Sequence, residues 1–228
     1  MPTSVVVGGS TGLGRTIASR LAARGDDVVI TSRDASRANE VARDLGPKVR
    51  GLAVNLAAPD SIAASLSDID SVDNLVITAI AQSVTTVKDF DTKAAIEAIT
   101  VKLVGYIETV RVLRDRFTPS ASVVLFGGLA KDRPYPTSTM VTTFNAGVTG
   151  LVKTLAIELA PHRVNAIHPG LVGDSPKWLN ADTSFAESRT PIGRLVTMDE
   201  IADATEFLLG NGGVNGVDLN IDGGVLLA

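Results

Sequence analysis

Short apolar runs rich in Val and Ile alternate along this chain with longer stretches in which apolar residues return every three or four positions. A strand covered by helices on both faces reads as a continuous hydrophobic run, and a helix lying on a sheet shows a period of 3.6 residues. Their alternation is the mark of βαβ units around a buried parallel sheet. SVVVGG, DDVVITS, KVRGLAV and DNLVITA predict the first four strands, and ASVVLFG, RVNAIHPG and VDLNIDGG predict three more. GRTIASRLAARG sets Ile17, Ala18, Leu21 and Ala22 on one helical face and reaches Gly25, which suits the position just past a helix end. Single long helices are predicted over 92–117 and 139–160.

These elements predict an α/β, doubly wound, Rossmann-type three-layer fold with a seven-stranded parallel sheet, in one dinucleotide-binding domain over residues 1–228. No repeat, low-complexity tract or linker divides the chain. The one long irregular segment, 171–190, carries Trp178 and Phe185 and has the length of a lid or binding loop. A net charge of −4 without a basic stripe argues against nucleic acid as a partner. With no cysteine and only His162 and His168, thiolate chemistry is excluded and a metal site is not expected. The N-terminus runs into a strand without a basic leader, and LVITAIA is too short to span a bilayer. A cytoplasmic protein that does not enter membranes is the expectation.

VVVGGSTGLGR places Gly8, Gly12 and Gly14 between the first strand and the first helix. Glycines there let a pyrophosphate approach the helix N-terminus, where free amides and the dipole favour an anion. The stretch from Gly8 to Gly12 also matches the G-x-S-x-G elbow that exposes a nucleophilic serine, here Ser10. An elbow serine follows several strands and is succeeded by an acid and then a histidine, and Ser10 instead ends the first strand. The second strand finishes Thr31-Ser32-Arg33-Asp34. An NAD site sets a carboxylate at that end for the ribose hydroxyls, whereas an NADP site supplies an arginine for the 2′-phosphate. Ser32 and Arg33 therefore point to NADP(H). On the alternative reading Arg33 is a solvated charge, and Asp34 a turn or capping residue.

GGSTGLGR, LAIELAP, RVNAIHPG and the tail DEIADATEFLLGNGG with VDLNIDGG together resemble the short-chain dehydrogenase/reductase family over essentially the whole chain. The resemblance implies an oxidoreductase that moves hydride between NADP(H) and a small carbonyl, alcohol or enone. It places Gly8, Ser10, Thr11, Gly12, Leu13, Gly14, Ser32 and Arg33 on the cofactor, with Asn55 and Leu56 at the adenine and Ala79 at the end of the fourth strand. Pro169, Gly170 and Val172 would hold the nicotinamide side; Asp174 stands where a threonine is common, and His168 is a frequent variant at its position.

The family's proton-transfer residues are missing. Counting from VTTFNAG, Val141 takes the tyrosine position, Asn145 the lysine position four residues on, and Gly128 the serine position thirteen residues before Val141. In ITVKLVGY, Lys102 takes the asparagine position, so that lysine and asparagine have exchanged helices. Lys102 and Asn145 are then the candidate catalytic residues, with the Lys102 ammonium directed at the nicotinamide ribose and its pKa lowered by burial. Tyr135, Lys131 and Asp132 lie within reach of a substrate, while Thr142 and Thr143 are weak acids with no evident base. The alternatives are a catalytically inactive NADP(H)-binding protein with a sensing or scaffolding role, and a non-redox enzyme using the same cleft. Apolar residues on several faces of the two long helices, among them Ile96, Ile99, Leu103, Ile107 and Val110 against Val148, Leu151, Val152 and Leu155, predict a homodimer or homotetramer.

Overall fold

The computed structural model describes residues 1–81 and 85–228. Its centre is a seven-stranded parallel sheet in the order β3-β2-β1-β4-β5-β6-β7. The strands are β1 Thr3–Val7, β2 Asp27–Ser32, β3 Val49–Ala53, β4 Val72–Ile77, β5 Phe117–Phe126, β6 Arg163–Pro169 and β7 Asp218–Ile221. The helices are α1 Gly12–Arg24, α2 Ala35–Leu45, the short α3 Ile62–Ser65, α4 Thr92–Ile99, α5 Gly105–Leu113, α6 Thr139–Glu158, the short α7 Ser184–Glu187 and α8 Met198–Gly210. The seven expected strands are all present. The sheet order reverses between β1 and β4, so the chain leaves those two strands in opposite directions and opens a crevice at their C-terminal ends.

Alternation along β1 separates the two cores. Val5 and Val7 pack with Tyr106 and Val110 of α5 and Val148 and Val152 of α6. Val6 packs on the other face with Ile17 and Leu21 of α1, Val41 of α2 and Leu208 of α8. All of β1 from Val5 to Val7 is at most 1% exposed, which is why these strands read as unbroken apolar runs. By length and hydropathy α6 could cross a membrane. One of its faces packs into the protein interior, where Phe144, Val148 and Val152 are fully buried, while Ile157 stays exposed.

The long helix expected over 92–117 is not continuous. It holds a π-helical turn over Thr100–Val104, where the Gly105 amide reaches back five residues to the Thr100 carbonyl, and it ends at Leu113, with β5 starting already at Phe117. Gly105 allows α5 to lie against the chain after β3, because a Cβ there would stand 2.7 Å from the Leu56 side chain and 2.8 Å from its carbonyl oxygen. The apolar stripe read as a contact surface also divides differently. Val110, Val148, Val152 and Leu155 belong to the intramolecular core, while Ile96, Val104, Ile107 and Ile157 stay exposed. The sequence period could not separate these sets, since the helices are apolar towards both the sheet and one another. The helix over 139–160 stops at Glu158, and 171–190 contains α7.

β3 meets α2 across Gly51, where an added Cβ would lie 2.4 Å from the Ala38 carbonyl carbon. Backbone cannot yield as a flexible side chain can, so Gly51→Ala is expected to destabilise the protein by about 1–3 kcal/mol, read as a lower urea midpoint with an unchanged slope.

Candidate functional site

The crevice at the β1/β4 reversal is built by glycine. Gly8 has φ +85° and Gly12 φ +48°, conformations that glycine adopts without strain. Gly14 needs space: a Cβ there would lie 2.2 Å from the Gly8 carbonyl oxygen and 2.6 Å from Thr78 Oγ1. The Gly8 amide donates to Thr31 Oγ1 at 3.2 Å, and Thr78 Oγ1 lies 3.2 Å from the Val7 carbonyl oxygen and 3.3 Å from that of Gly8. The turn is thereby tied to β2 and β4. The Thr11 side chain does not cap α1, so the first amides of this thirteen-residue helix face the crevice.

The crevice encloses about 510 Å³. Gly8, Ser10, Thr11, Gly12, Leu13, Gly14, Ser32, Arg33, Asn55, Leu56 and Ala79 all line it. Asn145, Pro169, Gly170 and Val172 lie outside that lining, on α6 and along β6 and the segment that follows it. Asp34 turns away, since its carboxylate accepts the Arg37 amide at 2.7 Å and caps α2. Ser32 Oγ accepts the Asp34 amide at 3.3 Å. Arg33 is exposed at the rim and has no hydrogen bond or ion pair to the described residues. Arg37 also lines the crevice and pairs with Glu40 at 3.1 Å. Arg37 was missed in the sequence, although its four-residue spacing from Arg33 was a usable signal. Asn55 Oδ1 accepts the Ala57 amide at 3.1 Å, which turns the chain after β3.

Beyond Ala79 the site has a polar back wall. Lys102 sits in the π-helical turn, 1% exposed, and its ammonium donates to the Tyr106 hydroxyl at 3.0 Å. Tyr106 in turn donates to the Ala79 carbonyl at 2.8 Å. The ammonium thus supports the Ala79 wall of the crevice through Tyr106. Tyr106 was not foreseen; it stands one helical turn beyond Lys102. Burial without a carboxylate partner pushes the Lys102 ammonium down to about 7. Burial pushes the Tyr106 hydroxyl far up.

Asn145, 3% exposed, faces Gly128 across the end of β5. A Cβ on Gly128 would lie 2.9 Å from Asn145 Nδ2 but 3.7 Å from its Oδ1, so the amide nitrogen comes nearest. Asn145 Oδ1 is fully buried and has no hydrogen-bond partner. Gly128 has φ 177°, extended backbone that any residue adopts, so space and not backbone conformation favours glycine here. Val141, half-buried, packs with Ala95, Ala98, Met140 and Phe144 into an apolar wall. His168 is a strut: its Nδ1 accepts the Gly128 amide at 3.1 Å and its Nε2 meets Asp218 Oδ1 at 2.7 Å, while Thr149 donates to the same carboxylate at 3.1 Å. Burial lowers the His168 pKa against the pull of Asp218, and a neutral ring protonated on Nε2 suits both contacts.

The remaining candidates are held elsewhere. Asp174 accepts the Met198 amide at 2.8 Å, at the start of α8. Lys131 pairs with Asp132, and Tyr135 is exposed. Thr142 Oγ1 shares a 2.9 Å hydrogen bond with Ser138, and Thr143 donates to the Thr139 carbonyl. Trp178 lies under Lys177 at 4.9 Å, and Phe185 under Arg189 at 4.8 Å. No group of three or more potential metal ligands occurs among the described residues.

A family model described as enoyl-(acyl carrier protein) reductase matches residues 7–226. A 3-oxoacyl-(acyl-carrier-protein) reductase of Aquifex aeolicus is 31% identical over 97% of this chain and 96% of its own length. L-xylulose reductase of Cavia porcellus is 28% identical over 98% of the chain and 96% of its own. Among solved structures, a short-chain dehydrogenase/reductase family protein matches with TM-score 0.90 at 29% identity, over 100% of this chain and 98% of that one. A 3-ketoacyl-(acyl-carrier-protein) reductase from Brucella melitensis complexed with NADH matches with TM-score 0.88 at 26% identity, over 99% and 98%. The chain belongs to the short-chain dehydrogenase/reductase family of oxidoreductases.

The buried ammonium gives a testable pH dependence. The folded state holds Lys102 at about 7 against an ordinary lysine value of 10.5, so between these limits the unfolded chain binds the extra proton and stability rises with pH. Lys102→Met is expected to flatten that rise and to stabilise the protein at pH 7 by an amount on the order of a few kcal/mol, measured by urea unfolding at pH 7, 8 and 9.

Proposed function

We propose that this protein is an NADP(H)-dependent oxidoreductase whose proton-transfer residues have been replaced, moving hydride to or from a small carbonyl, alcohol or enone. The observation that carries the reading is the glycine cradle joined to an unpaired Arg33 at its rim, with Ser32 in place of a carboxylate. The residues fit the cofactor. A side chain on Gly14 would collide with the Gly8 carbonyl at the turn where a pyrophosphate would approach, and the orphaned Asn145 Oδ1 suits a ribose hydroxyl.

In this reading the first amides of α1 bind the pyrophosphate, Arg33 takes the 2′-phosphate, and Asn55 and Leu56 flank the adenine. Pro169, Gly170 and Val172 border the nicotinamide. The cofactor, when bound, supplies the hydride chemistry. Gly128 and Val141 have no proton to give, and Lys102 is committed to Tyr106, so no side chain delivers a proton to a substrate carbonyl. General acid help is typically worth ~10²–10⁴-fold, so simple ketones are poor substrates. Lys102 is proposed as a positioning residue for Ala79, and Asn145 as the group that meets cofactor and substrate.

NADPH is expected to bind more tightly than NADH. Arg33→Ala should remove most of the difference, about 1.5–3 kcal/mol or ten- to hundredfold in affinity. Calorimetry that gave equal affinities for the two cofactors would overturn the assignment.

The exposed Ile96, Val104 and Ile107 on α4 and α5 and Ile157 on α6 support a homodimer or homotetramer. Light scattering at micromolar concentration should give two or four times the 23.7 kDa chain mass; a monomer mass would refute it.

A further inference from the structure

We propose that Asn145 Nδ2 is the hydrogen-bond donor to the substrate oxygen, standing in the space left by Gly128, and that the substrate is an acceptor whose reduction leaves a delocalised anion, an α,β-unsaturated carbonyl. The inference rests on the NADP(H)-dependent reading and adds to it the donor and the substrate class.

The geometry begins with Gly128. A side chain there would project to within 2.9 Å of Asn145 Nδ2, so the amide occupies the neighbourhood that a residue at position 128 would otherwise fill. Asn145 is 3% exposed, and its Oδ1 is enclosed without a partner. The amide is held by packing on α6, and none of its nitrogen's hydrogens is committed to a described residue. Met140 and Phe144, on the same helix as Asn145, are buried in an apolar cluster against which Val141 packs, and a donor in such surroundings would meet a substrate oxygen at low dielectric, where the contact is strongest.

The donor's chemistry selects the substrate. An amide stabilises negative charge but does not surrender its proton. Hydride addition to a simple ketone localises charge on one oxygen, and the alkoxide needs a proton as it forms. Hydride addition to the β-carbon of an enone breaks the C=C π bond and moves its electron pair through the α-carbon to oxygen as an enolate. The reduced dinucleotide is oxidised by two electrons, and the substrate gains them. Water then protonates the α-carbon, leaving the saturated carbonyl. One fixed donor at such an oxygen is worth ~10²–10³-fold, the scale of what a missing acid loses.

The test uses 4-nitrophenol, a planar acid whose anion resembles an enolate and whose visible spectrum reports its ionisation. It is titrated into the whole protein with and without NADP⁺, while NADPH affinity is measured separately by calorimetry. The parent should bind the ionised form preferentially. Asn145→Asp keeps an acceptor but removes the donor, and Gly128→Ala crowds Nδ2. Each should weaken binding of the anion at least tenfold and lower its ionised fraction in the titration without NADP⁺, independently of any change in NADPH affinity. In D₂O the parent should reduce 2-cyclohexenone to the saturated ketone with deuterium on the α-carbon. Unchanged anion binding in both variants, or reduction of the enone to the allylic alcohol, overturns the proposal. Failure of the parent to bind NADPH would instead strike the cofactor reading, and the phenolate titration without NADP⁺ would still decide the role of Asn145.

Discussion

The passage of Gly14 against the carbonyl of Gly8 governs how α1 leaves the sheet. A single added carbon at position 14 would sit 2.2 Å from that oxygen, a contact no rotamer relieves, so the helix starts close against the first strand only because nothing projects from Gly14. The consequence is directional. The open end of α1 faces the gap between β1 and β4, the place where the reversed strand order leaves the sheet uncovered. Thr31 from β2 and Thr78 beyond β4 then hold the turn from both sides. One close approach of backbone to backbone thereby fixes both the crossing of the first helix and the position of an anion-binding surface.

The polar groups buried behind this surface are satisfied to different degrees. His168 has both ring nitrogens engaged and joins the ends of β5, β6 and β7, so it is structural despite its chemistry. Lys102 has a neutral hydroxyl as its described partner and no carboxylate, and burial therefore acts on its charge unopposed. Asn145 keeps an acceptor with no partner among the described residues. An unmatched buried acceptor costs ~1–3 kcal/mol, which packing elsewhere must offset. A fold does not retain such a group for stability. It is the kind of local defect that binding repairs, and it lies beside Gly128 at the end of β5.

The fold was legible in the sequence because strands buried on both faces and helices with one apolar stripe leave opposite patterns. The alternation of Val5, Val6 and Val7 between two cores is one instance. The π-helical turn at Thr100–Val104 was not legible: one extra residue in a helix shifts the register without altering composition. That turn determines where Lys102 points, and its ammonium supports Ala79 through Tyr106. The eleven expected positions that line the crevice lie at strand ends or in the turns and helix start that follow them, while Asn145, Pro169, Gly170 and Val172 lie outside the lining. Asp34 was ambiguous, since a carboxylate near a helix start serves equally as a ligand or a cap, and backbone geometry makes it the cap of α2. The exposed share of the helix stripes was also hidden, because Ile107 and Val110 differ in burial although both are β-branched aliphatic residues.

Lys102, Gly128 and Asn145 are linked in space: the Asn145 amide meets the space beside Gly128, and Gly147 on the same helix packs on Leu103, next to Lys102. A Cβ at 128 would lie 2.9 Å from Asn145 Nδ2, so a side chain there would have to displace the Asn145 amide. A lysine at 145 would place a second ammonium on a helix that packs, through Gly147 and Leu103, against the turn carrying Lys102. That adds an unpaired charge to a region already costly for one. Gly128 and Asn145 thus share one space, and the helix carrying Asn145 packs on the turn carrying Lys102. A site held together in this way constrains its own chemistry: it favours a neutral donor at the substrate over a transferable proton.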